Sequence, residues 1–226
     1  MYTSAIEDCS DEPGAENGPM GEQETPAIPP RLDHVVIATP TLDQTVADFA
    51  ARTGVRPAPG GAHPDRGTRN YLVTFGADSY LEIIGPDPDR TVGDDALTFG
   101  LAALREPRVA AWAVHPADID AAAAHIGPIG PGQRRTTSGE LLQWRLTEPP
   151  NGLPDGVVPF LIDWGTTTSP AVGLPAVELV SFTGSHRDPD AVRLVLRAIG
   201  TSLRLDTGPA GLALTVSGEH GLVEFR

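Results

Sequence analysis

Hydrophobic and polar positions recur with two different periods along this chain, and the changes of period mark its elements. Leu32-Asp33-His34-Val35-Val36-Ile37-Ala38 reads as a strand, ended by Thr39-Pro40. From Thr41 the period lengthens. Leu42, Val46, Phe49 and Ala50 fall on one side of a helix reaching about Arg52, capped by Thr41 and closed by Gly54. Pro57 to Asp65 reads as a loop, followed by strands near Arg69–Phe75 and Tyr80–Ile84. Asp94–Glu106 reads as a helix beside the mouth of the cleft these strands would build.

The order of strand, helix and strands recurs. Val109–Val114 is a strand, Asp118 opens a helix to about His125, and strands follow at Glu140–Leu146 and Val158–Trp164. Between them, Gly127 to Gly132 alternates with proline and reads as a turn. A third copy starts at Val177, with a cap near Asp188, a helix over Asp190–Ile199 and further strands. The last of these places Glu224 where Glu82 stands in the first. Repeats of this kind mean one supersecondary unit used several times. A lone unit leaves a sheet face bare, so the units pair around shared clefts, and three copies leave one face over. That leftover face predicts a homodimer. The expected organisation is a disordered acidic tail over 1–30, two modules over 31–168 and a third over 176–226.

Composition narrows the function. The chain has 226 residues, 40% of them apolar, enough for a real core. Of its formal charge of −14, half sits in residues 1–30, which carry seven acidic side chains and no basic one. No basic surface is left for phosphate backbones, so nucleic acid is excluded as a partner. All sixteen basic residues are arginine, which removes Schiff-base chemistry and the lysine-dependent phosphate loop. The single cysteine, Cys9, lies in the tail, so no cysteine cluster can hold zinc. No stretch approaches the length of a membrane span and no export signal is visible, which predicts a cytoplasmic protein.

Candidate chemistry sits in the first module. A strand sends alternate side chains to opposite faces, so His34 shares a face with Leu32 and Val36, and Glu82 with Tyr80 and Ile84. A carboxylate in such company carries a desolvation cost of roughly several kcal/mol unless it is paired, wet or bound to something. Asn70 either binds a substrate carbonyl or satisfies a turn. Arg145 either clamps an anionic substrate or stands in solvent. Trp144 and Arg145 are neighbours and face opposite ways, while Trp164 falls on the Phe160 and Ile162 face and favours the cleft. His63, in a Pro/Gly loop, is a candidate gate residue.

Five segments in order resemble the vicinal-oxygen-chelate superfamily, and within it the glyoxalase-like domain proteins: 32–36, 67–72, 80–84, 142–146 and 159–164. The resemblance implies an α+β fold of repeated βαβββ modules, whose mixed sheets curl around a cup-shaped cleft with helices outside. It implies that His34 and Glu82 bind a divalent metal ion of unspecified identity, completed by Glu224, Glu178, His63 or His186. The function implied is a metal-dependent lyase or isomerase acting on a small oxygenated metabolite, with His34 and Glu82 catalytic and Asn70, Arg145, Trp164 and His63 contacting substrate. The alternative is a metal-free protein that sequesters a small molecule, favoured by Ala111 and Ile162 standing opposite His34 and Glu82 in the second module.

Overall fold

The computed structural model describes Met1 and residues 27–76, 78–90, 93, 97–148 and 156–226. The expected acidic tail lies outside the described residues apart from Met1 and 27–30.

The first half of the chain runs β1 (Leu32–Ala38), α1 (Leu42–Thr53), β2 (Ala58–His63), β3 (Thr68–Gly76) and β4 (Ser79–Pro86). The second runs β5 (Arg108–Val114), α2 (Ile119–Ala123), β6 (Ile129–Arg135), β7 (Leu141–Thr147) and β8 (Phe160–Asp163). These eight strands close a barrel in the order β1-β4-β3-β2-β6-β7-β8-β5, and β5 returns to β1 antiparallel. Only β1–β4 and β5–β8 pair in parallel. The molecule is thus mostly β, with three helices among the described residues. Gly54 ends α1 in the left-handed region, at φ 79. Asp118 caps α2 by accepting the Ala121 N–H at 3.0 Å.

A second sheet follows, built from β9 (Glu178–His186), β10 (Arg204–Thr207), β11 (Gly211–Gly218) and β12 (Gly221–Phe225), with α3 (Pro189–Ala198) after β9. Its order is β10-β9-β11-β12, so the parallel partner of β9 is β10, the strand next along the chain. In the barrel, β1 instead takes as parallel partner β4, the last strand of its half. The apolar face of the second sheet is covered within the chain. Phe182 meets Trp112 of β5 edge-on, with ring centroids 5.5 Å apart, and Leu214 and Val216 join the same cluster.

Period-two alternation divides the barrel side chains between two apolar cores. Val35, Ile37, Leu81, Ile83, Trp112 and Val114 point outward, against α1 and the second sheet. Val36, Leu72, Ile84, Phe160 and Ile162 point inward. Eight strands leave an interior that side chains fill or that holds one small ligand.

Two segments differ from expectation by forming strands. β2 lies in the expected loop and β6 begins in the expected turn. Glycine serves here for close approach. A Cβ on Gly60 would run into Asn70 Oδ1, and one on Gly132 into the Trp144 indole. Large side chains from β3 and β7 therefore lean over bare backbone, which erases the alternating apolar signal from both strands. Asp94–Glu106 also differs. Its described part holds only a 3₁₀ turn at Leu101–Ala103, because Phe99 and Gly100 both take positive φ (58 and 69), which no helix continues. Asp94 itself lies outside the described residues.

Candidate active site

The inward residues of one barrel wall are mainly polar. β1 supplies His34, β4 supplies Tyr80 and Glu82, β3 supplies Thr68 and Asn70, and His63 ends β2. The opposite wall is aromatic and apolar: Trp144 and Leu146 from β7, and Phe160, Ile162 and Trp164 from and after β8. Together they enclose a cavity of about 370 Å³. Alanines on β5 give this wall room. The parallel register places Ala113 beside Phe160, as it places His34 beside Tyr80, so the residue matching His34 in the second half is Ala113, two positions beyond the expected Ala111.

A line of polar contacts runs across the floor. Asp33 Oδ1 lies 2.6 Å from His34 Nδ1, and Asp33 Oδ2 accepts the Trp164 indole N–H at 2.9 Å. On the far side of the imidazole, Nε2 faces Glu82 Oε2 at 3.7 Å. Glu82 Oε1 accepts from Asn70 Nδ2 at 2.6 Å. Asp33, His34, Asn70 and Glu82 are all buried. A carboxylate on Nδ1 orients the ring and turns Nε2 toward Glu82 and the cavity. Tyr80 stacks on the imidazole at 4.8 Å and 17°. Burial, reinforced by the charges of Asp33 and Glu82, holds its phenol well above the usual range, so it stays protonated.

Asp33 escapes sequence reasoning because strict alternation would turn it away from His34. The antiparallel register between β1 and β5 slips between Leu32 and His34, a bulge that lets both neighbouring side chains reach the interior. The available signal was a carboxylate in an otherwise apolar strand. Arg134 escapes with its strand.

His63, Asn70 and Trp164 line the cavity with His34 and Glu82. His63 Nδ1 lies 3.1 Å from Thr68 Oγ1. Burial lowers its imidazole to about 4; Glu82 opposes the shift, while Arg134 and Arg66 add to it. Arg145 is not brought in. It lies exposed on the outer face of β7, paired with Asp120 at 3.0 Å and Asp163 at 3.4 Å, and these contacts raise its pKa further. Glu178 and Glu224 are exposed on the second sheet, and Glu224 pairs with Arg226 at 2.5 Å. His186 ends β9 with Nδ1 2.8 Å from the Asp188 carbonyl oxygen.

Members of the superfamily commonly use divalent ions. His34 Nε2 and Glu82 Oε2, 3.7 Å apart, span little more than the ~3.0–3.5 Å between two ligands of one ion. Yet among the described residues no group of three or more His, Cys, Asp or Glu side chains could hold a metal. A catalytic ion usually has three protein ligands. His34 and Glu82 supply two of these, and amide oxygens lining the same cavity, among them the buried and unpartnered Asn70 Oδ1, are further neutral donors.

The family match of the sequence places the protein in the vicinal-oxygen-chelate superfamily. Residues 32–200 match the glyoxalase-like domain family, and the chain belongs to that family. Among solved structures it is similar to methylmalonyl-CoA epimerases. One, a variant from Streptomyces coelicolor in complex with 2-nitronate-propionyl-CoA, is 26% identical, with 58% of this chain and 95% of that chain covered and a TM-score of 0.40. A further variant of that enzyme is 27% identical over 62% of this chain and 98% of that chain, also at 0.40. The epimerase from Mycobacterium tuberculosis is 19% identical over 59% and 87%, at 0.37. Among curated proteins there is no match. Among the described residues no helix is long and apolar enough to cross a membrane.

Proposed function

We propose that the barrel is the active site of a lyase or isomerase that moves a proton next to a carbonyl group of a small oxygenated metabolite. The observation that carries this reading is the line Asp33–His34–Glu82, with distances of 2.6 and 3.7 Å. Asp33 fixes the tautomer, and His34 Nε2 takes the proton from carbon. The electron pair moves onto the carbonyl oxygen, where the Tyr80 hydroxyl, kept protonated by its burial, is a donor for the developing charge. Return of the proton to carbon, from His34 directly or after His34 has passed it to the Glu82 carboxylate 3.7 Å away, completes an isomerisation. Expulsion of a leaving group from the enolate makes the same site a lyase. Asn70 holds Glu82 in place, and Trp164 anchors Asp33 while walling the cavity.

His34 and Glu82 would anchor the divalent ion common in the family, which would polarise the carbonyl oxygen when bound, and proton transfer is assigned to the side chains. A second reading, sequestration of a flat apolar ligand without turnover, is favoured by the aromatic wall, where Trp144 and Trp164 meet at 5.1 Å. The homodimer belongs to the proposal only as the sequence motivates it. The second sheet already buries its apolar face within the chain, and a monomer mass by light scattering would remove it.

Incubating small carbonyl compounds with the protein in D₂O, followed by NMR, tests the enzyme reading. Wild type is expected to exchange the C–H beside the carbonyl, and His34→Gln to slow this by about 10²-fold or more. Binding without exchange in wild type moves the function to sequestration. Exchange undiminished in a folded His34→Gln protein would overturn the mechanism.

A further inference from the structure

We propose that Arg134 is the carboxylate-recognition residue of the barrel cavity, and that the ligand is a small aromatic or apolar monocarboxylate. This rests on the barrel being the ligand site, as proposed above, and not on turnover there.

Several other arginines pair with carboxylates: Arg69 with Asp43 at 2.9 Å, Arg145 with Asp120 at 3.0 Å and Arg193 with Asp190 at 2.8 Å. Each of those stands at least partly in solvent. Arg134 is only 4% exposed, yet it forms no ion pair among the described residues. Nη1 donates to the Gly60 carbonyl across the β2–β6 seam, which uses one of the guanidinium's five N–H donors. A buried guanidinium is costly unless paired, and its remaining donors form a planar fork that suits a carboxylate. The cavity is where that partner would sit, since Arg134 lines it.

Surrounding charge selects the class of ligand. Asp33 and Glu82 stand on the same floor and Asp65 at the rim, while the other arginine lining the cavity, Arg66, is paired with Glu148 at 3.6 Å, so the guanidinium of Arg134 suits one negative charge and a dianion would be repelled. His63, lowered to about 4 by burial, adds no charge near neutrality. The wall beside Arg134 is aromatic: Gly132, two residues earlier on β6, lies under Trp144, which meets Trp164 at 5.1 Å. A ring held against that wall with its carboxylate on Arg134 points its other end at His34 and Glu82.

Isothermal titration of the full chain with benzoate, its neutral isostere benzamide, and phenyl phosphate tests this. Benzoate is expected to bind at least about tenfold more tightly than benzamide. Arg134→Gln should bring the two within about twofold, and Arg134→Lys, which keeps the charge but loses the fork, should keep part of the preference. If Arg134→Gln does not fold, the wild-type ratio and Arg134→Lys decide. Equal binding of benzoate and benzamide to wild type, no benzoate binding up to about 10 mM, tighter binding of phenyl phosphate, or an unchanged preference in folded Arg134→Gln each overturns the proposal. Glu82→Gln separates it from the reading it rests on. That variant should keep the benzoate preference whether or not proton exchange fails.

Discussion

Trp164 and Asp33 are joined by a 2.9 Å hydrogen bond that crosses over β5, linking the end of one barrel half to the start of the other. Because the same carboxylate holds His34, the aromatic wall and the acid–base floor share one anchor. Asp33→Asn keeps the shape but can no longer favour the Nδ1–H tautomer. It is expected to slow proton exchange about 10–100-fold while changing the denaturation midpoint little. Asp33→Ala also strands the Trp164 N–H and is expected to cost about 1–3 kcal/mol by urea denaturation.

His63 gives stability a pH dependence of defined sign. Its imidazole protonates at about 4 when folded and near the ordinary 6.5 when unfolded. Between those values the unfolded chain binds the extra proton, so stability falls as pH drops from 6.5 towards 4 and is unaffected by His63 above that window. From pH 7 to pH 5 wild type is expected to lose about 2 kcal/mol more than His63→Asn in urea denaturation. Parallel losses in the two proteins would count against the buried, neutral imidazole.

Gly132 makes room for Trp144. A Cβ there would run into the indole, which is half-buried and lines the cavity, so it must shift. Gly132→Ala is expected to keep the fold at a cost of about 1–3 kcal/mol and to weaken ligand binding by displacing Trp144, visible as a changed tryptophan fluorescence.

Trp112 is fully buried, donates to the Val157 carbonyl at 2.7 Å and meets Phe182 of the second sheet. Trp112→Ala and Phe182→Ala should each cost about 3–5 kcal/mol. Because the rings touch, the double variant should fall short of the sum by about 0.5–1.5 kcal/mol. Full additivity would show the two sheets to be energetically independent.

How much of this is legible in sequence depends on whether side chains or backbone do the work. β1 and β4 are dense apolar runs interrupted by His34 and Glu82, so both the strands and the inward pair can be read directly. β2 and β6 carry Gly60, Gly61, Pro131 and Gly132, which serve by being small, and no apolar period survives in them. Arg134 is lost with its strand. Asp33 is hidden by a one-residue slip in pairing, a tertiary fact that local alternation cannot contain. Trp144 and Arg145, read as facing opposite ways, do so, but it is the tryptophan that lines the cavity and the arginine that salt-bridges outside.

The closure of the barrel between β2 and β6 is registered, among the described residues, at the single pair Ala62↔Arg135, reinforced by Arg134 on the Gly60 carbonyl. The barrel is therefore a hoop fastened by a clasp, and the clasp lies beside the ligand. Amides along this seam should exchange with solvent sooner than those of β1 and β4. A carboxylate seated on Arg134 would tighten the fastening, making the ligand itself a structural member of the hoop.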